Sequence, residues 1–138
     1  MKHEFTQKVY YGDTDAYGVV WHGAYLRWME MGRVDLCEKL GLDLVELKNM
    51  DVALPVTNMN VRYKSSAKLN DTVLVETWID KLSPISVTFG QTIKNAETGA
   101  TFIQAEFVVV AINGEGKLYR RMPENLKTAL EGALLCNV

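Results

Sequence analysis

The sequence predicts an α+β domain in which a curved antiparallel sheet wraps around one long helix. Three observations predict it. Apolar residues recur at three- and four-residue spacing over one long stretch only, residues 22–41. After about residue 53 the period changes to alternation, interrupted by turn-forming clusters. A half-buried antiparallel sheet needs cover on its apolar face, and one helix alone is long enough to supply it.

Taken in order, residues 3–11 read as a strand, with Phe5, Val9 and Tyr11 on one parity and Glu4, Thr6 and Lys8 on the other. Gly12 to Gly18 is rich in turn formers. In the helix over 22–41, Tyr25, Met29, Gly32 and Leu36 form the apolar stripe, with Leu26 and Leu40 beside it and Gly41 as the stop. Such a helix is about 30 Å long. Glycine costs roughly 1 kcal/mol in a helix interior, so Gly32 implies close approach to a sheet or another backbone. Glu30 and Arg33, three apart, are placed to pair or to orient the turn. Met59, Val61 and Tyr63 then alternate with Asn58, Asn60 and Arg62. Val73, Val75, Thr77 and Ile79 alternate with Glu76 and Asp80, and Ile85, Val87, Phe89 and Ile93 with Ser86, Thr88 and Thr92. Residues 101–112 are a longer, more apolar strand. The breaks fall at Lys68–Asp71, Ser83-Pro84, Asn95–Gly99 and Asn113–Gly116. A short strand at 117–121 and a helix with Pro123 in its first position complete the order. The sheet has free edges, whose pairing between subunits would protect them.

No linker or repeat divides the 138 residues, so one domain runs over 1–138. Apolar residues make up 48% and charged residues 23%, the balance of a soluble globular chain. A net charge of −2 gives no broad attraction to nucleic acid, so any bound phosphate needs a local patch. Cys37 and Cys136 stand far apart and only His3 and His22 accompany them, which disfavours a structural zinc site. Free thiols and a polar N-terminus that does not read as a signal peptide point to the cytoplasm. The longest apolar run, Phe107 to Ile112, is too short for a membrane span.

The chemistry is concentrated in residues 11–26. Carboxylates stand just before the start of the long helix, whose unpaired N–H groups and partial positive charge suit a developing oxyanion. A carboxylate facing that end across a glycine turn could attack a carbonyl or deprotonate a water, which is chemistry for acyl transfer. The spacing alone leaves a bland alternative: aspartate before a helix is commonly a cap or turn residue, a lone histidine a packed ring, and Tyr11 and Trp21 core residues.

The segment resembles the 4-hydroxybenzoyl-CoA thioesterase-like family, in particular its bacterial acyl-CoA thioesterase branch. The shared pattern is Tyr-x-Asp-Thr-Asp-x-x-Gly-Val-Val-x-His-x-x-Tyr-Leu from Tyr11 to Leu26, followed by Trp28, Glu30 and Arg33. It extends through Val61-Arg62-Tyr63, Asn70-Asp71 and the Asn113-Gly114 turn before Pro123. The resemblance implies a hotdog fold, a homodimer or homotetramer with active sites at subunit interfaces, and hydrolysis of an acyl-CoA with no cofactor or metal. It places the catalytic carboxylate on Asp15, with Tyr11 and His22 beside it, and the oxyanion-binding N–H on His22 or Gly23. Gly18, Val20, Trp21, Gly23 and Tyr25 become expected substrate contacts. The chain departs from the pattern where some relatives carry a basic run that grips the CoA phosphates: here stands Ser83-Pro84-Ile85-Ser86. The nucleotide is then held differently, by Arg62, Lys64 or Lys68, or is held weakly. Ala24 stands where many relatives have asparagine, and Ser66 near a usual proline. Aromatic, short and long aliphatic thioesters are all compatible with the sequence.

Two other functions are to be set against hydrolysis. A hotdog enoyl thioester hydratase usually has its histidine five residues after the aspartate, whereas Asp15 and His22 are seven apart. A non-catalytic acyl-CoA sensor would lose the carboxylate or add a DNA-binding module, and Asp15 is present here.

Overall fold

A computed structural model describes residues 1–135. It contains β1 (Lys2–Lys8), α1 (His22–Lys39), α2 (Leu44–Asn49), β2 (Val56–Tyr63), β3 (Thr72–Leu82), β4 (Ser86–Asn95), β5 (Thr101–Val110) and α3 (Glu124–Leu135). The five strands form one sheet in the order β1-β3-β4-β5-β2, every pair antiparallel. This is the curved sheet around a helix that the alternation predicted, with β1 and β2 at its two edges.

The inner face is built by one parity of three strands. Val75, Thr77 and Ile79 of β3 lie opposite Ile93, Gln91 and Phe89 of β4, and these face Ile103, Ala105 and Phe107 of β5. All are buried. A register shift between Ile79 and Lys81 adds a bulge, the usual device for bending a strand. Against this face α1 lays Tyr25, Met29, Gly32 and Leu36, all buried, and Trp28 beside them. Burying Met29 or Leu36 completely contributes about 1.5–3 kcal/mol each.

Gly32 has the predicted reason. A Cβ there would collide with the Thr77 hydroxyl and stand 3.1 Å from the Gln91 amide nitrogen. Gln91 fills the tight space. Its Nε2 donates to the Met29 carbonyl (2.8 Å) and to Thr77 Oγ1 (2.7 Å), and its Oε1 accepts from Arg33 (2.8 Å). Arg33 therefore bonds inward to Gln91 and lies over the Phe107 ring at 4.0 Å, in place of the expected pairing with Glu30. Burial draws its guanidinium below the ordinary value, and Glu30 opposes the shift.

Several boundaries differ from the sequence reading. The first strand ends at Lys8, not at residue 11. Val9 turns inward and its N–H donates to Asp71, and Tyr11–Asp13 then coils into a 3-10 turn. Helix α1 stops at Lys39, with Gly41 at φ +80° as the stop signal. Helix α2 had no clear period in six residues; Asp43 caps it by accepting from Val45 and Glu46 N–H. Residues 117–121 are not a strand: only an isolated bridge joins Leu118 to Ile112. Pro123 sits one position before α3, and its carbonyl accepts from Lys127. Cys37 is buried and unpaired, and burial pushes its thiol up to about 11. Cys136 lies outside the described residues. No described helix is long and apolar enough to cross a membrane.

Candidate active site

Between β1 and α1 the chain makes two successive turns that use its two aspartates differently. Asp13 closes the first: its Oδ2 accepts from Tyr10 N–H at 2.9 Å, and its carbonyl accepts from Trp21 N–H at 3.0 Å. Asp15 opens the second. Its backbone N–H donates to Val19 O, its carbonyl accepts from Gly18, and Gly18 takes φ +78°. Its Oδ1 accepts from Tyr17 N–H at 2.8 Å, and its Oδ2 has no partner among the described residues. The turn is pinned from below, since Val20 N–H donates to Ala67 O and Val19 bridges to Lys68.

Helix α1 begins one residue later. Trp21 is its N-cap and makes no side-chain cap bond, so the first amides, His22 and Gly23, lack intrahelical partners. The Trp21 indole folds back over Gly23, where a Cβ would strike the ring. Tyr25 stands one turn in, and its hydroxyl accepts from Ala67 N–H at 2.9 Å. That bond ties the helix start to the segment following β2.

A cavity of about 270 Å³ opens at this junction. The turn contributes Asp15, Val19 and Val20, and α1 contributes His22 and Tyr25. Tyr63, Lys64, Ser65 and Ser66 come from the end of β2 and beyond. The Tyr63 ring meets His22 edge-on at 4.9 Å and Tyr25 at 6.0 Å. Burial pushes both phenols above their ordinary values; at Tyr25 the Ala67 hydrogen bond opposes it in part. Lys64 N–H donates to Phe102 O at 2.8 Å and Ser65 Oγ to Thr101 O at 3.0 Å, so this wall is fixed to β5. The cavity thus joins an acidic residue, the start of a helix, an aromatic wall and a lysine. Those are the parts that addition to a carbonyl requires.

Of the residues singled out in the sequence, Asp15, His22, Val20, Tyr25 and Lys64 line this cavity. Tyr11 does not. The early end of β1 leaves it on the 3-10 turn, 82% exposed. Gly18, Trp21 and Gly23 shape the turn and the helix start without lining the space. Arg62 faces a separate groove on the outer side of the sheet, with Asn60, Trp78 and Glu106. The sequence singles out none of Tyr63, Ser65 and Ser66 as a site residue; Tyr63 enters only through the strand pattern and the family match, and Ser66 only as a departure from that match. Tyr63 reads as one member of an alternating strand, and nothing local shows that this strand ends at the helix start. Among the described residues no group of three His, Cys, Asp or Glu is placed to hold a metal ion.

A family model described as the thioesterase-like superfamily matches residues 9–130. An acyl-CoA thioester hydrolase, YbgC of Escherichia coli O6:H1, is 33% identical over 119 residues, which are 86% of this chain and 88% of that protein. A putative esterase of Synechocystis is 32% identical over 111 residues, 80% of this chain and 67% of that protein. This chain thus matches about two thirds of the length of the Synechocystis relative. Among solved structures, a DHNA-CoA thioesterase from Staphylococcus aureus superposes with a TM-score of 0.89 at 28% identity, over 99% of this chain and 93% of that one.

Proposed function

The chain belongs to the thioesterase-like superfamily, and on that premise we propose that it is an acyl-CoA thioester hydrolase whose attacking oxygen is supplied or activated by Asp15. One observation carries the reading. The cavity that Asp15 lines reaches the first turn of α1, where the N–H groups of His22 and Gly23 have no helical partner. A thioester carbonyl held there would have a carboxylate on the carbon side and amide donors on the oxygen side. As the carbonyl becomes tetrahedral, its oxygen gains the charge that those amides and the helix dipole stabilise. Asp15 retains a free oxygen for the chemistry while Tyr17 N–H fixes the other. His22 and Tyr25 wall the acyl side. The relatives named for acyl-CoA hydrolysis support the substrate class.

The experiment is release of free thiol from a panel of aromatic, short and long acyl-CoAs. Turnover of at least one thioester is expected; binding of acyl-CoA with no thiol release would favour a sensor. We further propose that the protein acts as a homo-oligomer. Strand β2 is an open edge, and its apolar parity has little cover: Met59 is 56% exposed and Tyr63 45%. Tyr63 lines the cavity, so a subunit pairing along β2 would border the active site.

A further inference from the structure

One acidic and one basic residue line the cavity, and they form no ion pair. Asp15 and Lys64 both line it. Among the described residues no carboxylate lies within ion-pair distance of Lys64. Lys64 is thus a lysine without an ion pair, on the wall of the space where, on the hydrolase reading above, the thioester sits. Its backbone N–H is held to Phe102 O, which fixes the main chain from which the flexible side chain can reach the cavity.

Such a cation has three possible uses in thioester hydrolysis. It could hold the nucleotide phosphates, but the long pantetheine arm separates these from the sulfur, and about 270 Å³ cannot hold both ends. It could hold an anionic acyl group, but the rest of the lining offers such a group two valines, three rings, two serines and a repelling carboxylate, and the helix-start amides are taken by the thioester oxygen on the reading above. The third use follows from the reaction. Whichever route brings oxygen to the carbonyl carbon, the C–S bond then breaks and its electron pair stays on sulfur. An alkyl thiolate is basic, its thiol titrating near 8.5 in the cysteine case, and an anion expelled into a partly closed cavity needs a positive charge. Tyr25 and Tyr63 are neutral phenols. A lysine carries full charge through the neutral range, whereas an imidazole carries it only in part.

We propose that Lys64 is the cation that receives the departing CoA thiolate. The thiolate forms beside the ammonium and then takes a proton, from Asp15 if that group removed it from water or else from solvent. Thioester and water thereby become acid and thiol. Lys64 acts on the bond that breaks, Asp15 on the bond that forms.

The test varies the leaving group. Wild type, Lys64→Met, Lys64→Arg, His22→Gln and Asp15→Asn are assayed with one acyl group on CoA, on pantetheine and on an aryl thiol, whose thiolate is intrinsically more stable. Lys64 is exposed, so its variants should fold, and circular dichroism checks this; Lys64→Gln replaces Lys64→Met if needed. Lys64→Met is expected to lower kcat roughly 10- to 100-fold on both alkyl thioesters, and far less on the aryl thioester. Lys64→Arg should restore most of the rate. Equal loss on alkyl and aryl thiols would overturn the proposal. So would a loss that vanishes on pantetheine, which would mark a phosphate grip, or one confined to anionic acyl groups. Leaving-group dependence carried by His22→Gln instead would also overturn it. Normal turnover by Asp15→Asn on every leaving group would sink the Asp15 reading and not this one. If the wild type releases no thiol at all, both fail.

Discussion

Asp13 and Asp15 are two residues apart and chemically identical, yet their hydrogen bonds differ. Asp13 holds the 3-10 turn through Tyr10 N–H, whereas Asp15 keeps one oxygen free in the cavity. Asp15→Asn preserves shape and removes charge. It should lower kcat by about 10²–10⁴-fold for a lost general base, or more for a lost nucleophile, with little change in KM. The fold should survive, because asparagine serves an Asx turn about as well. Asp13→Asn is the control, with near-normal turnover expected. Steady-state kinetics on the best panel substrate decides; normal kcat in Asp15→Asn with loss in a folded Asp13→Asn would reverse the assignment. The sequence pointed to Asp15, His22 and Tyr25 because a dense motif fixes many residue types in a short span. It did not point to Tyr63, Ser65 or Ser66, because their place in the cavity depends on where an edge strand ends relative to a helix 40 residues earlier in the chain. It carried the first strand to residue 11 because alternation alone does not show that the strand stops at Lys8.

Among the elements, α1 approaches β3 and β4 closely at Gly32. Gly32→Ala would push the helix off Thr77 and disturb both donations of Gln91, a cost of about 1–3 kcal/mol typical of overpacking. Chemical denaturation should show it as a lower midpoint. Leu36→Ala, fully buried on the same stripe, should cost about 2–5 kcal/mol by the same measurement. On the outer face Glu76 joins three strands, bonding Lys94 at 2.8 Å, Thr92 at 2.7 Å and Lys2 at 3.4 Å. Burial alone would raise its carboxyl, but Lys94, Thr92 and Lys2 outweigh this and hold it at about 2. A depressed folded value contributes stability above the unfolded value and loses it as pH falls toward 2. Wild type should therefore lose stability between about pH 5 and 2, and Glu76→Gln should be less stable at pH 7 with a flatter acid profile. Thermal melts across that range, in low salt, test the sign. Periodicity foretold this helix and these strands because each has a long apolar stripe. It missed α2, which is only six residues long and is set by the Asp43 cap.

At the scale of the molecule, the unusual feature is a strand with an alternating apolar pattern and little burial. In β2 that pattern runs through Met59, Val61 and Tyr63, yet Met59 and Tyr63 stay exposed, and α1 reaches the strand at Tyr63 through His22 and Tyr25. An open, apolar edge of this kind is a liability unless another chain occupies it. The protein is expected to sediment as a dimer or a larger even oligomer at micromolar concentration. Met59→Lys should weaken that association and reduce activity with it, since β2 ends in the cavity. A fully active monomer by light scattering would refute the shared-site proposal. The outer turn Ser83–Ser86 spends its hydroxyls on itself, with Ser83 Oγ accepting from Ser86 N–H at 3.0 Å. Replacing CoA by pantetheine should therefore change kcat/KM only modestly, and a loss of several orders of magnitude would reveal a phosphate grip elsewhere.

The Gln91 amide also has a consequence for how such sequences can change over time. By binding the Met29 carbonyl and Thr77 while Gly32 sits against Thr77 and the amide itself, it indexes the helix along its own axis, as a key indexes a shaft. Positions 32, 77 and 91 then cannot drift one at a time. A larger residue at 32 becomes acceptable only after 77 or 91 has shrunk, so substitutions at the three should occur in linked steps. The same residue should be neutral in one background and damaging in another.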